Sequence, residues 1–400
     1  MKDKQIEKLI KREQKRQKSV TNLIASENYV SRDVLDALGS ELNNKYAEGY
    51  SKLRYYGGNE VVDEVENLCK ERALKLFKLS DKKWNVNVQA LSGSPANLAV
   101  YLALVPFDFA QGKPGKIMGM SLDHGGHLTH GHRVSATGKI WQQIAYGVDQ
   151  KTEQLNYAEL MKIAKREKPD IIVAGYTAYP RKIDFKKWRE ISDEVGSILM
   201  VDMSHTAGLV AGGAYPSPFK FADVVTTTTH KTLRGPRAAL IFSKIDKREL
   251  GKKIDKAVFP GLQGGPHANQ IAGVAVALQE AMKPEFKKYA KQVVANAKIL
   301  AQELKKLGWR IVSGGTDSHL ILVDTWLGGA GVSGKVASDA LEKAGIIVNK
   351  NTIPNDTRSP IDPSGIRLGT AAETTRGAGA KEMKQIAQKI AKILTKAKHG

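Results

Sequence analysis

Four hundred residues carry a single cysteine, Cys69, so no disulfide framework can staple this chain, and a reducing compartment suits it. Long apolar runs are missing too, and no uninterrupted stretch reaches the length of a bilayer span. The first residues, Met1-Lys-Asp-Lys-Gln-Ile-Glu-Lys-Leu-Ile10, are charged from the outset and lack the apolar core of a signal peptide. A soluble, cytoplasmic chain is expected. Acidic residues are scarce: 41 face 62 lysines and arginines, for a formal net charge of +21. Nucleic-acid binding is one reading of that imbalance, with the basic arm Lys11-Arg-Glu-Gln-Lys-Arg-Gln-Lys18 as its best support. The excess is spread along the chain, however, without interleaved aromatics or a groove-reading module. The expectation is therefore steering of anionic ligands, with no specific nucleic-acid partner and no membrane.

What is present points to an α/β fold. Helical periodicity over residues 61–77 and 94–105 alternates with short strand-like runs over 86–91, 116–120 and 171–174. Such alternation predicts a mostly parallel central sheet with active groups at the carboxyl ends of its strands. After about Gly273 the texture changes to a long helix over 286–307, a strand over 319–324 and an amphipathic helix over 381–396. That pattern predicts a smaller α+β appendage.

Two residues follow such strand-like runs closely. Lys231 ends Thr226-Thr-Thr-Thr-His-Lys231, and Asp202 ends Ile198-Leu-Met-Val-Asp202. A lysine from one strand and a carboxylate from another form the pair that pyridoxal phosphate requires. The lysine holds the cofactor covalently, and the carboxylate keeps its ring nitrogen protonated. Two glycine-containing turns suit a phosphate. In Leu91-Ser-Gly-Ser-Pro-Ala-Asn97, Ser94 is expected to cap a helix with Pro95 at its first position. The second turn is Phe259-Pro-Gly-Leu-Gln-Gly-Gly-Pro266, where Gly264 and Gly265 permit close backbone approach. A different chemistry is raised by Asp123-His-Gly-Gly-His-Leu-Thr-His-Gly-His132, four histidines that could ligate zinc. The glycines break any helix that would align them, and no glutamate stands as general base, so no metal is expected. A flat imidazole stacked on a cofactor ring accounts for His127.

Several longer strings carry a resemblance. They are Leu23-Ile-Ala-Ser-Glu-Asn28, Asn44-Lys-Tyr-Ala-Glu-Gly-Tyr50, Arg54-Tyr-Tyr-Gly-Gly58, His124-Gly-Gly-His-Leu-Thr-His130, Thr226 to Lys231, Val258-Phe-Pro-Gly261 and Ser364-Gly-Ile-Arg-Leu-Gly-Thr370. Over nearly its whole length the chain resembles the serine hydroxymethyltransferases, pyridoxal-phosphate enzymes of the aspartate-aminotransferase fold. The resemblance implies fold type I: an N-terminal helical arm (residues 1–30), a large cofactor-binding domain (31–272) and a C-terminal small domain (273–400). It implies transfer of the serine hydroxymethyl group to tetrahydrofolate, giving glycine and 5,10-methylenetetrahydrofolate.

Carried over residue by residue, the resemblance has Lys231 holding the cofactor and Asp202 pairing with its ring nitrogen. His127 would stack on the ring, and His205 would lie near the ring oxygen and substrate carboxylate. Thr177 and Thr228 would line the site. Ser92, Gly93 and Ser94 would bind the phosphate, with His230 close by and Gly264 and Gly265 reaching it from a neighbouring subunit. Arg367 and Ser26 would take the substrate carboxylate. Tyr46, Glu48 and Tyr56 would enter from the partner of a homodimer, Glu48 managing protons near the hydroxymethyl group. Leu122, Gly126, His127, Leu128 and Asn351 would border the folate. The chain departs from the family pattern at Leu91, Pro95, Thr177, Thr206 and Ile361, and in a longer segment over 105–115. A folate-independent 3-hydroxy amino acid aldolase of the same fold is the competing reading; it would share Lys231 and Asp202 but would not need Glu48, Leu122 or Asn351.

Overall fold

Seven runs of apolar and β-branched residues assemble into one sheet in the computed structural model, which describes residues 1–107 and 114–399. They are β1 (Trp84–Asn87), β2 (Lys116–Met120), β3 (Gln142–Tyr146), β4 (Ile171–Ala174), β5 (Ile198–Asp202), β6 (Val224–Thr228) and β7 (Ala239–Lys244). Their order is β1-β7-β6-β5-β4-β2-β3. Strands β2 to β6 pair in parallel, and only β7 runs against its neighbours. Alternate residues feed two cores: Ile172 and Ala174 of β4 enter one, Ile171 and Val173 the other. This two-sided burial explains why β4 and β6 carry no exposed polar alternation.

Helices cover the sheet. The ones that matter here are α1 (Lys4–Ser19), α2 (Glu60–Leu76), α3 (Gly93–Leu104), α4 (Ala268–Ala281), α5 (Pro284–Lys306) and α6 (Ala380–His399). α4 packs on α2, and α5 on α6. Proline at the first position starts α5 without loss, because that amide has no helical partner. Its buried face divides its contacts: Phe286, Tyr289 and Val293 join the core of the large sheet, whereas Ala297, Leu300 and Leu304 join a second core. Each such fully buried large side chain contributes about 1.5–3 kcal/mol, so α5 fastens the two cores together. Leu307, at the end of its apolar stripe, is exposed where the helix closes before Gly308.

The second core lies under a four-stranded antiparallel sheet of β8 (Arg310–Ile311), β9 (Leu320–Asp324), β10 (Asn349–Asn351) and β11 (Gly365–Gly369), ordered β8-β9-β11-β10. Residue 273 falls inside α4, and the two cores separate further on, within α5. α1 is capped by Asp3, which accepts from the Gln5 and Ile6 amides, and none of its residues is buried. Among the described residues no helix is long and apolar enough to cross a membrane.

Two local expectations are corrected. The strand expected over 86–91 ends at Asn87, whose side chain accepts the Gln89 amide at 2.9 Å and turns the chain out of the ladder. The helix expected to be capped by Ser94 starts earlier: Ser92 is the cap, Gly93 the first helical residue, and Pro95 the third. Proline is tolerated there because first-turn amides lack helical acceptors anyway. Of the longer segment over 105–115, residues 108–113 lie outside the described residues.

Candidate active site

A cavity of about 390 Å³ opens at the carboxyl ends of β4, β5 and β6, where a doubly wound parallel sheet places its ligands. Asp202 is the last residue of β5, Thr228 the last of β6, and Lys231 follows three residues later; all three line it. Gly175, just past β4, has to lack a side chain, since a Cβ would sit 2.1 Å from the Asp202 carbonyl oxygen.

The Lys231 amine is buried. Burial pushes its pKa from 10.5 down to about 8; Asp202 opposes the shift, while Arg367 and Arg237 add to it. Its backbone carbonyl accepts from Asn28 Nδ2 at 2.9 Å, tying the lysine turn to the N-terminal segment. Burial alone would raise the pKa of Asp202, but three donors outweigh it and hold the carboxyl well below the usual carboxylate range. They are His130 Nε2 at 3.3 Å, Asn97 Nδ2 at 2.9 Å and the Ser204 amide at 3.0 Å. His130 Nδ1 accepts the His127 amide, which leaves Nε2–H to face the carboxylate. Asn97 is oriented in turn by Thr226 Oγ1, which donates to its carbonyl oxygen at 2.8 Å.

The phosphate end is built from the start of α3. Ser92, Gly93 and Ser94 line the cavity, and the Ser92 hydroxyl makes no capping bond, so it is free for a ligand along with the first-turn amides. A Cβ on Gly93 would meet Thr228 Cγ2 at 2.7 Å, so this position is fixed as glycine by the neighbouring strand. His230 lines the same end, and its buried Nδ1 has no partner among the described residues. Burial, Lys231 and Arg237 lower its pKa to about 3, leaving it a neutral ring. Gly93→Ala is expected to weaken cofactor binding about 10- to 100-fold by overpacking against Thr228. An absorbance titration of cofactor into the cofactor-free variant checks this, and an unchanged affinity would show that the position is not constrained.

His127, His205, Thr177, Ser26 and Arg367 also line the cavity. Burial lowers the pKa of His127 to about 4, and that of His205 falls well below the ordinary imidazole value for the same first reason. Arg367, on β11, donates through Nε to Asn349 Oδ1 at 3.0 Å and through Nη1 to the Thr177 carbonyl at 2.6 Å. Burial brings its pKa down to about 10, so the guanidinium stays charged at neutral pH, and its Nη2 makes no hydrogen bond among the described residues. The Thr177 hydroxyl donates to the Gly126 carbonyl at 2.8 Å, holding that loop against the cavity wall.

The four histidines of the glycine-rich string go separate ways. His124 Nδ1 accepts from the Val148 amide, His127 Nδ1 contacts Thr129, His130 faces Asp202, and His132 Nδ1 accepts from the Val134 amide. Among the described residues no three histidine, cysteine, aspartate or glutamate side chains are grouped so as to hold a metal ion.

Tyr46, Glu48 and Tyr56 are not part of this cavity. They form a patch elsewhere on the protomer, with Tyr46 55% and Tyr56 48% exposed. The two rings meet edge to face at 5.2 Å, and the Tyr46 hydroxyl donates to Glu48 at 3.2 Å. Gly264 lies against Glu48 and Tyr46, and Gly265 against Tyr46. Arg54 sets the patch: Nη1 donates to the Ala47 and Gly49 carbonyls on either side of Glu48, while Asp63 and Glu66 hold the rest of the guanidinium. Leu122, Gly126, Leu128 and Asn351 also stand outside the cavity lining; Leu128 is exposed, and Asn351 is two residues from the Asn349 that holds Arg367.

Sequence reasoning missed Asn97, His130, Ser204, Asn28 and Asn349. Asn28, Asn97 and His130 lay inside strings already singled out. Together the residues fit pyridoxal phosphate. A buried amine of lowered pKa, a carboxylate held anionic and a helix start with a free hydroxyl beside an unpartnered imidazole match its aldehyde, ring nitrogen and phosphate.

A serine hydroxymethyltransferase family profile matches residues 1–390. A serine hydroxymethyltransferase of Acidothermus cellulolyticus is 52% identical over 399 residues, spanning 100% of this chain and 90% of its own length.

Proposed function

The chain belongs to the serine hydroxymethyltransferase family, and we propose that the cavity at the ends of β4, β5 and β6 is where it works on serine. The enzyme transfers the hydroxymethyl group of serine reversibly to tetrahydrofolate, giving glycine and 5,10-methylenetetrahydrofolate. Pyridoxal 5'-phosphate, its cofactor, supplies an electron sink that draws off the charge left when the Cα–Cβ bond breaks. The observation that carries the reading is the buried Lys231 amine sharing one cavity with an Asp202 carboxylate kept anionic by three donors.

Each residue then has a task that its own surroundings suit. Lys231, with a pKa of about 8, keeps a neutral, nucleophilic fraction at neutral pH to hold the cofactor. Asp202 would pair with the ring nitrogen, while Ser92, Gly93, Ser94 and His230 would receive the phosphate. Arg367 stays cationic in a buried setting and offers its uncommitted Nη2 to the substrate carboxylate beside Ser26. His127, uncharged, would cover the ring. The folate would lie along Leu122, Gly126, Leu128 and Asn351.

The exposed patch of Tyr46, Glu48 and Tyr56, with Gly264 and Gly265 beside it, would complete the cavity of a second copy, making the active site a property of a cytoplasmic homodimer. What supports this is an acidic side chain whose flanking carbonyls are held by Arg54, beside two half-exposed tyrosines, none of the three lining the cavity of its own protomer. The test is subunit mixing. Glu48→Gln is expected to lower tetrahydrofolate-dependent serine cleavage about 100- to 10,000-fold, the range for a lost acid–base group. It should spare folate-independent cleavage of bulkier 3-hydroxy amino acids. Mixing Glu48→Gln with Lys231→Ala subunits should restore up to about a quarter of parental activity, because one site in each hybrid has both intact residues. Verified hybrids without activity would overturn the shared site, and equal loss of both reactions would overturn the folate-linked role of Glu48.

A further inference from the structure

Behind the cavity, outside its lining, a second imidazole touches one that faces it. His319, immediately before β9, is fully buried. Its Nε2 lies 3.2 Å from His205 Nδ1 and 3.1 Å from the Ala25 carbonyl oxygen. The two rings are tilted by 24° with centroids 5.4 Å apart.

The hydrogen-bond logic of these contacts is restrictive. A carbonyl oxygen can only accept, so the Ala25 contact places the His319 proton on Nε2. His319 Nδ1 is buried without a partner among the described residues, so a second proton there would lack an acceptor, and the ring is neutral. The Nε2–H of His319 then serves both Ala25 and His205. His205 Nδ1 becomes an acceptor, and Nε2–H is the polar group that the His205 ring offers to the cavity it lines.

We propose that His319 is a positioning residue for the reaction: it fixes His205 in the Nε2–H tautomer, so that the cavity receives a neutral hydrogen-bond donor there. An unpinned neutral imidazole would exchange tautomers and present a lone pair part of the time. A lone pair would repel the anionic oxygens this site has to accept, the substrate carboxylate among them. The surroundings exclude the alternative of a charged His205, since burial and the nearby Lys231 and Arg367 cations all disfavour a second proton.

The fold holds His319 from three directions. Thr370 donates its amide to the His319 carbonyl at 3.0 Å, just past β11. Ala25 is pressed against the end of β11, where a Cβ on Gly369 would sit 2.3 Å from Ala25 Cα, and the Gly369 amide donates to Leu23. His319 therefore joins the N-terminal segment bearing Ser26, the loop after β5 bearing His205, and the sheet bearing Arg367. The inference rests on the reading of this cavity as the cofactor and serine site.

Nitrogen-15 NMR of histidine-labelled protein, loaded with cofactor and again after its removal, reads the tautomer directly. The expected result is a proton on His205 Nε2 in both states. In His319→Leu the His205 signals should become a tautomer mixture, and kcat/KM for serine should fall about tenfold, the loss typical of one hydrogen bond. His319→Gln, which keeps an amide donor where Nε2 stood, should restore both. A proton on His205 Nδ1 in the parent, or an unchanged tautomer in His319→Leu, would overturn the proposal. Should the leucine variant fail to fold, the parent and His319→Gln spectra decide alone: Nε2–H in both upholds it, and Nδ1–H in either overturns it. A wrong reading of the cavity itself would show differently, as a parent protein without serine cleavage.

Discussion

Lys231→Ala is expected to fold like the parent and to lose serine cleavage by on the order of 10⁴-fold or more, since no other group can replace a covalent nucleophile. The lysine is the only one lining the cavity among the described residues, so nothing nearby can take its place. Stability should be spared, because the side chain ends in a cavity rather than in packed core and its burial already disfavours the charged amine. A melting curve together with steady-state turnover checks both halves, and turnover within about tenfold of the parent would refute the assignment. The lowered pKa gives a second signature. Only the neutral amine is nucleophilic, and the protonated form predominates below its pKa. Capture of cofactor by the cofactor-free protein should therefore speed up with rising pH and level off above about 8, whereas an ordinary lysine would not level off until about 10.5.

That the lysine and aspartate could be read from the sequence follows from where the fold puts them. β5 and β6 are neighbours in the sheet, both are buried, and their carboxyl ends deliver Asp202 and Lys231 to one place. Two strands, 116–120 and 171–174, appear with the expected bounds, because burial on both faces leaves an unbroken apolar run. The groups that tune the site were not legible in the same way. Asn97 reaches Asp202 from a helix 105 residues earlier, and Asn28 reaches the Lys231 carbonyl across 203 residues. Neither distance leaves a local pattern. The Asn44 to Tyr50 string offered no packing role by itself; its reason is Arg54, whose grip on the carbonyls flanking Glu48 is a tertiary fact. The helix start was misjudged by two residues because serine stands at both 92 and 94, and the proline signal allowed either cap.

Asp202→Asn should cost nearly as much as removing the lysine, for a reason visible in the donors around it. Asp202 Oδ2 takes His130 and Asn97, and Oδ1 takes the Ser204 amide. An asparagine amide has one acceptor oxygen, so whichever way it turns, its NH₂ faces at least one of these donors, and the charge is lost as well. The ring nitrogen would then meet a neutral amide where the site is built to hold an anion. Breaking one partner of a buried charge pair costs about 3–5 kcal/mol, so serine cleavage is expected to fall about 10³-fold, with cofactor affinity falling too. Asp202→Glu separates charge from geometry: it keeps the anion but displaces it by one methylene from three fixed donors, and should retain more activity than the asparagine variant. Absorbance titration of the cofactor and single-turnover serine cleavage measure the two losses separately. If Asp202→Asn kept affinity and cleavage within about threefold of the parent, the three donors would be holding that carboxylate for some purpose other than the cofactor ring.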